Sequence, residues 1–467
     1  MKKQKELFKN TLIIFVGKFC TQFISFLLVP IYTYFLSTED YGYIDLIQTY
    51  ISLLVPIIIL RFDTGVFRFL IDERRNENEK GKTISTVIYF LILQIILFVL
   101  IFIISNFFLN IKYALAILLN IIFMSISSVL LQISRGTGDN KTYSIASILT
   151  AIITIILNCI FIIILRWDAS AILVVSGISN CICSVFLIFK NGIYKCVNFK
   201  NIEKKRIIKI LKYSLPMIPD GLSWWVVNAF DRTIISFVIS SSANGIYAVS
   251  SKFSNILSSL FQVFNMSWQE SASLHINDYD KDAFFSEVLN ETYKIFYSIC
   301  LLLLTSMPFV FKTIIGLNYF TAYYYVPILL LANLFNAFAN TVGGVYIAQK
   351  KSITVAKTTL YAALINIIIN LIFIKKIGLY AAAISTLISY MFLAIYRYKD
   401  VQKYFNMKID KKFMVISLLE YMLCCFIYYQ NKMYLNIINI IISLIICCFL
   451  NKRLIQKILK KIGEKIK

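Results

Sequence analysis

The sequence predicts an all-α protein that crosses a membrane about fourteen times, and three observations carry that prediction. Of 467 residues, 59% are hydrophobic and only 15% charged, with a mean hydropathy of +0.75. A soluble domain cannot hide that much apolar surface. The apolar residues arrive in blocks of roughly 20, the length at which a helix crosses a hydrocarbon layer of ~30 Å. Finally, most of the 47 Lys and Arg residues fall in the connections between these blocks, the pattern that orients membrane proteins. The net charge of +23 is therefore read as membrane topology, with no nucleic-acid partner implied.

Taken in order, the first six spans are expected at 11–35, 42–64, 83–104, 113–133, 143–165 and 169–189. The next six follow at 213–238, 245–267, 291–311, 323–346, 354–375 and 378–396. A final pair lies at 413–429 and 434–450. With the N-terminus placed in the cytoplasm, the external connections hold six basic residues: Lys112, Arg166, Lys312, Lys375, Lys376 and Lys432. Both termini are thus expected inside a plasma membrane. The basic start MKKQKELFKN runs into the first span without a small-residue cleavage site, so it is read as an anchor and not a removable signal. The ten Cys residues mostly lie in apolar blocks without a CxxC, and read as small buried hydrophobes. The tail NKRLIQKILKKIGEKIK sets apolar residues at helical spacing between lysines, as an inner-surface helix does.

The chain repeats itself. Shifting the numbering by 203 places Ser37 on Ser240, Gly42 on Gly245 and Pro30 on Thr233. In each copy an apolar run ends in a polar turn and a second run follows. A second match sets Asn158-Cys159-Ile160-Phe161-Ile162 against Asn370-Leu371-Ile372-Phe373-Ile374. Six spans per copy give the copies one orientation, as parallel repeats. The expected organisation is a lobe at 1–190, a basic linker at 191–212, a second lobe at 213–396, and two extra helices with a basic tail at 397–467. The linker reads either as a plain positive-inside connection or as an amphipathic segment on the inner leaflet.

Ionisable residues inside spans are costly and normally face a bundle interior or a wet cavity. Lys18, Arg61, Arg232 and Lys252 form a cationic set, all in the first two spans of each half. A cavity lined by them attracts an anion, and the Arg fork suits phosphate oxygens. Arg68, Asp63, Asp220 and Asp231 are secondary candidates. Bland readings stand beside these: Lys18 snorkels, Asp231 or Asp220 holds Arg232 as a structural pair, and Arg61 with Asp63 marks the inner end of span two. Asp45, near the start of span two, reads as interfacial or facing a polar lining. Each Pro within a span (Pro30, Pro56, Pro216, Pro219, Pro308, Pro327) invites a bend. The single His275 sits in a polar connection, and neither a metal nor any other cofactor is expected.

The stretches KNTLIIFVGKFCTQFISFLLVPIYTYFLSTEDYGYIDL, RFDTGVFRF and DRTIISFVISSSANGIYAVSSKFSNIL resemble the polysaccharide (O-antigen type) flippases. Their superfamily also holds the lipid II flippases and the multidrug and toxic compound extrusion transporters. The resemblance implies two six-helix bundles around a central cavity. It also implies transport of an undecaprenyl-diphosphate-linked oligosaccharide from inner to outer leaflet by alternating access, for capsule or similar surface polysaccharide. Lys18, Arg61, Arg232 and Lys252 are then expected to meet the diphosphate, with Arg68 at the border of the cavity. Where relatives often carry Pro after the Trp that closes span eight, this chain has Trp268-Gln269-Glu270.

No covalent chemistry is expected, and no GxxxxGK[ST] loop points to a built-in ATPase. The energy source stays open between a coupling ion, proton or sodium, and the membrane potential. Partners implied are the lipid-linked glycan, membrane lipids and other polysaccharide-assembly proteins. A cation-coupled drug or metabolite exporter of the same fold is the alternative, but it would favour an acidic cavity. A polymerase or glycosyltransferase fits less well, because every external connection is short.

Overall fold

Ser37 and Ser240, matched by the repeat, begin their helices in the same way. The Ser37 side chain accepts from the Asp40 backbone N–H at 3.0 Å, and Ser240 Oγ accepts from that of Ala243 at 3.1 Å. Each satisfies a donor that the first helical turn leaves without a partner. A computed structural model of the chain describes residues 26–198, 202–349, 351–452 and Gln456. For Asp220, Ser223, Trp224, Val227, Asn228 and Ser352 it describes the backbone alone. Span one up to residue 25, with Lys18, and the basic tail beyond 456 lie outside the described residues.

Among these residues the ordered elements are all helical. They are α1 (Val29–Phe35), α2 (Thr38–Ile58), α3 (Phe62–Glu73), α4 (Glu77–Leu109), α5 (Ala114–Thr137), α6 (Asn140–Asn158), α7 (Ser170–Lys190), α8 (Ile193–Cys196) and α9 (Lys204–Ser214). There follow α10 (Ile218–Val238), α11 (Ser241–His275), α12 (Lys281–Ile314), α13 (Val326–Ala348), α14 (Ser352–Ile377), α15 (Leu379–Val401), α16 (Lys411–Tyr429) and α17 (Met433–Leu450). Eleven described helical segments are long and apolar enough to span a membrane, including both members of the final pair. Their outward faces are apolar: Leu97, Leu100, Ile104 and Phe107 along α4 are all more than half exposed, as lipid-facing side chains are.

Several predicted boundaries move, for local reasons. Span two, expected unbroken to residue 64, ends as a helix at Ile58, and Phe62 starts a new one. The expected connection at 268–290 shrinks to 276–280, because α11 runs on to His275 and α12 starts at Lys281. Trp268 is not a closing residue but a buried anchor inside α11, its Nε1 donating to the Thr341 carbonyl at 2.7 Å. Of the six prolines only Pro56 and Pro308 are interior to helices. Pro30 and Pro327 occupy first turns, where the missing N–H costs nothing. The matched asparagines diverge: Asn158 accepts from the Tyr32 hydroxyl at 3.1 Å and leads into a π-helical turn, Cys159–Ile164. Asn370 lies within a continuous α14.

The chain packs as two units. The first extends to Ser236 and includes Ser240–Gly245; the second comprises Phe237–Ile239 and all residues from Ile246. In the first, α5 lies along α7 and α3. Its core includes Phe62, Val66, Leu70, Val87, Val129, Ile133 and Leu187. The basic linker docks on this core through α9, which turns Arg206, Ile210 and Ser214 inward at helical spacing. Gly65 permits the approach, since a Cβ there would collide with Ser214 Oγ and Ile210 Cγ2. Arg206 pairs with Glu73 at 2.7 Å, Glu79 at 2.5 Å and Glu203 at 3.2 Å. Burial works against its charge, but the bond to Glu79 and the fields of Glu73 and Glu203 outweigh that and hold the guanidinium above its usual range. Lys204, Lys205, Lys209 and Lys212 face outward.

In the second unit α13 lies along α15, with α12 bound to both members of the final pair. Tyr323 and Tyr428 stack at 4.0 Å, and each hydroxyl donates to the other residue's carbonyl. Arg397, at 1% exposure, was expected just past the end of span twelve. It lies inside α15, and its five N–H groups reach neutral acceptors only: the carbonyls of Ala339 and Val355, Asn340 Oδ1, and the hydroxyls of Thr358 and Thr359.

Candidate functional site

Within the first unit, α2 and α10 meet along a seam that gathers several of the candidate residues. Asp45, Thr49, Ser52 and Pro56 recur at three- and four-residue intervals, so they share one face of α2. Ile218, Leu222, Trp225 and Arg232 do the same on α10. At the end nearer Ser37, Arg232 Nη1 lies 3.3 Å from Asp45 Oδ2 and donates to Thr49 Oγ1 at 3.0 Å. Asp45 is 3% exposed, so neither charge is left to bulk solvent and each depends on the other. Asp231, its neighbour, is also buried.

About two turns earlier in α10, Trp225 Nε1 donates to the Thr49 carbonyl at 3.0 Å, and its ring lies 6.0 Å from that of Tyr50. Thr49 therefore ties the ion pair to the indole. Beyond Trp225 the seam opens into a cavity of about 290 Å³. Ser52, Leu53, Pro56, Ile57 and Arg61 line it from one side, and Ile218, Gly221, Leu222 and Trp225 from the other. This is at the lower edge of the ~300–1,000 Å³ usual for small-molecule pockets.

The break after Ile58 puts Arg61 there. Pro56 has no N–H for the Ser52 carbonyl. Leu60 and Arg61 then take left-handed φ values of 49° and 51°, sparsely populated for residues other than Gly. The Arg61 N–H bonds back to the Pro56 carbonyl at 2.9 Å. Backbone strain concentrated at two consecutive residues is a mark of functional positions. Arg61 Nε is buried with no hydrogen-bond partner among the described residues, and so is Asp63 Oδ1. A guanidinium in an apolar cavity with a donor to spare can receive an oxyanion.

The remaining candidates separate. Arg68 forms an ion pair with Asp72 at 2.7 Å, both largely exposed. Lys252 is half-buried on α11 within the second unit. Asp220 belongs to α10 but its side chain is outside the described residues, as is all of Lys18. Trp225 falls within the expected span seven, 213–238, without being singled out. Asp45 was noted, but not as the partner of Arg232. A tryptophan one helical turn from a glycine, Gly221, within a span was the available signal for the first. Nothing local in the sequence marked the second.

Residues 7–268 match the family described as polysaccharide biosynthesis protein. That match spans more than half of the sequence, and the chain belongs to this family. No curated relative matches it. In fold it is similar to an inward-facing multidrug resistance MATE family transporter of the MOP superfamily, with a TM-score of 0.71 and 12% identity, covering 82% of this chain and 94% of that one. It is similar also to the lipid II flippase MurJ in an inward closed conformation, with a TM-score of 0.70 and 17% identity over 97% of this chain and 100% of that one. A mutant of the Vibrio cholerae MATE transporter VcmN follows at 0.58 and 11%, covering 86% and 97%. At these identities the likeness shows a shared fold, a polytopic all-α membrane architecture.

Proposed function

We propose that this protein is a flippase that moves a lipid-linked, anionic glycan precursor, an undecaprenyl-diphosphate oligosaccharide, from the inner to the outer leaflet for surface-polysaccharide export. Arg61 carries the reading: a half-buried arginine whose Nε is buried and without a hydrogen-bond partner among the described residues, held by strained backbone at a largely apolar cavity. Membership of a polysaccharide biosynthesis family supports the glycan. In this reading Arg61 meets a phosphate oxygen, and the apolar walls strengthen the attraction by excluding water. Arg232, already neutralised by Asp45, positions the seam and contributes less net charge. Lys18 and Lys252 are further cations for the passage of the headgroup. The protein performs no bond-making step, works from the plasma membrane with both termini inside, and comprises lobes at 1–190 and 213–396 joined by the linker.

The test is complementation of cells depleted of the protein and lacking a redundant flippase. Lipid-linked glycan is expected to accumulate on the inner leaflet, with rescue by wild type, weak rescue by R61K and none by R61A at equal expression. Unchanged glycan display in depleted cells sinks the flippase reading, and full rescue by R61A sinks the role of Arg61. Labelling of a cysteine at Lys205 from outside intact cells would reverse the proposed orientation.

A further inference from the structure

Glu420 lies at the middle of α16, a span that is otherwise apolar around it. It flanks the buried row Ser417, Tyr421, Cys424 and Tyr428, while Leu419 and Leu423 beside it are exposed as lipid-facing residues. Its Oε1 is buried without a hydrogen-bond partner among the described residues. From α12 the carboxyl is faced by the hydroxyl of Tyr297. That side chain is 0% exposed, and its hydroxyl lies within reach of the carboxyl without a bond of ordinary geometry to any described residue. Among the described residues, the other titratable groups facing Glu420 are Cys447 from α17 and Cys424 one turn along α16, and none of these is a cation.

An ionised carboxylate in hydrocarbon with no cation beside it costs several kcal/mol, and a bound proton removes the charge. A neutral carboxyl also has a donor and an acceptor to offer the phenol. The surroundings are tied in place. Tyr293 Oη and Ser417 Oγ are 2.9 Å apart, Asn439 Nδ2 donates to the Cys424 carbonyl at 3.1 Å, and Asn451 Nδ2 donates to Ser298 Oγ at 2.8 Å. We propose that Glu420, seated between the final helix pair and α12, is the site at which this protein binds a coupling proton. Tyr297 acts as its positioning residue. Uptake converts the carboxylate to the neutral acid, and release returns the proton to water.

Proton binding can be read without a transport assay, whereas the coupling role rests on the proposed flippase activity. Infrared spectra of the full chain in proteoliposomes at neutral pH should contain the carbonyl stretch of a neutral carboxylic acid that is lost in E420Q. In Y297F that band should remain and shift in frequency. If E420Q fails to fold, the Y297F shift carries the test. Identical wild-type and variant spectra overturn the site. In cells, collapsing the pH gradient should slow glycan display by wild type. E420Q should be slow from the outset and insensitive to the collapse. An E420Q protein as gradient-sensitive as wild type overturns the coupling. Glycan display unaffected by depletion of the protein would sink the flippase reading and leave the infrared result standing.

Discussion

Gly42 and Gly245, 203 residues apart, lie backbone against backbone. A Cβ on Gly42 would stand 2.6 Å from the Gly245 amide nitrogen and collide with the Ser241 carbonyl. A Cβ on Gly245 would strike the Thr38 carbonyl. Asn244 Nδ2 donates to the Gly42 carbonyl at 2.7 Å, and the Thr38 and Ser242 hydroxyls are 2.6 Å apart. The two glycines that the repeat aligns thus touch.

G42A and G245A should each lower the melting temperature in detergent, since in each case the obstacle is backbone and cannot rotate away. A cysteine pair at Thr38 and Ser242, in a background without the native cysteines, should cross-link under mild oxidation. The readout is a gel shift reversed by reductant. A pair that stays open under oxidation would contradict the contact.

Removing Asp45 should cost more than removing the pair. D45A takes away the carboxylate that lies 3.3 Å from the Arg232 guanidinium, a loss of about 3 kcal/mol. The double variant D45L/R232M should recover most of that, because apolar replacements of buried ion pairs are often neutral. A thermal double-mutant cycle measures the coupling, and additive losses would show that the pair carries none.

Arg206 is the linker's clamp, and R206Q should loosen it. Losing charge-assisted bonds to Glu73, Glu79 and Glu203 is worth about 2 kcal/mol in stability. Proteolysis within 199–205 should accelerate. Since the partners are carboxylates, acid should weaken the wild-type clamp and leave R206Q little changed.

Arg397 should not tolerate Lys. Its five donors meet five neutral acceptors on α13 and α14, and an ammonium offers three. R397K is expected to lose about 2 kcal/mol, read as a lower melting temperature with normal membrane insertion.

The spans were legible because hydropathy alone marks them, and the described helices of the final pair follow the same rule. The helix ends were less legible. The break at Leu60–Arg61 falls within the expected span two, where Pro56 and the charges of Arg61 and Asp63 were the cues. The extension of α11 to His275 hides in residues polar enough to pass for a connection. Charges were visible as oddities, but their partners were not. Asp45 and Arg232 are 187 residues apart, and only tertiary packing joins them. Glu420 drew no attention because it belongs to no motif and its partner Tyr297 comes from another helix.

The reciprocal bonds of Tyr323 and Tyr428 have a mechanical consequence. Two hydrogen bonds close a small ring between α16 and the turn before α13, in a setting where water is not at hand to replace either. The turn cannot swivel without carrying the end of α16 along or severing both bonds together. The final helix pair therefore behaves as ballast fixed to the start of α13, and a motion that begins at one must be felt at the other.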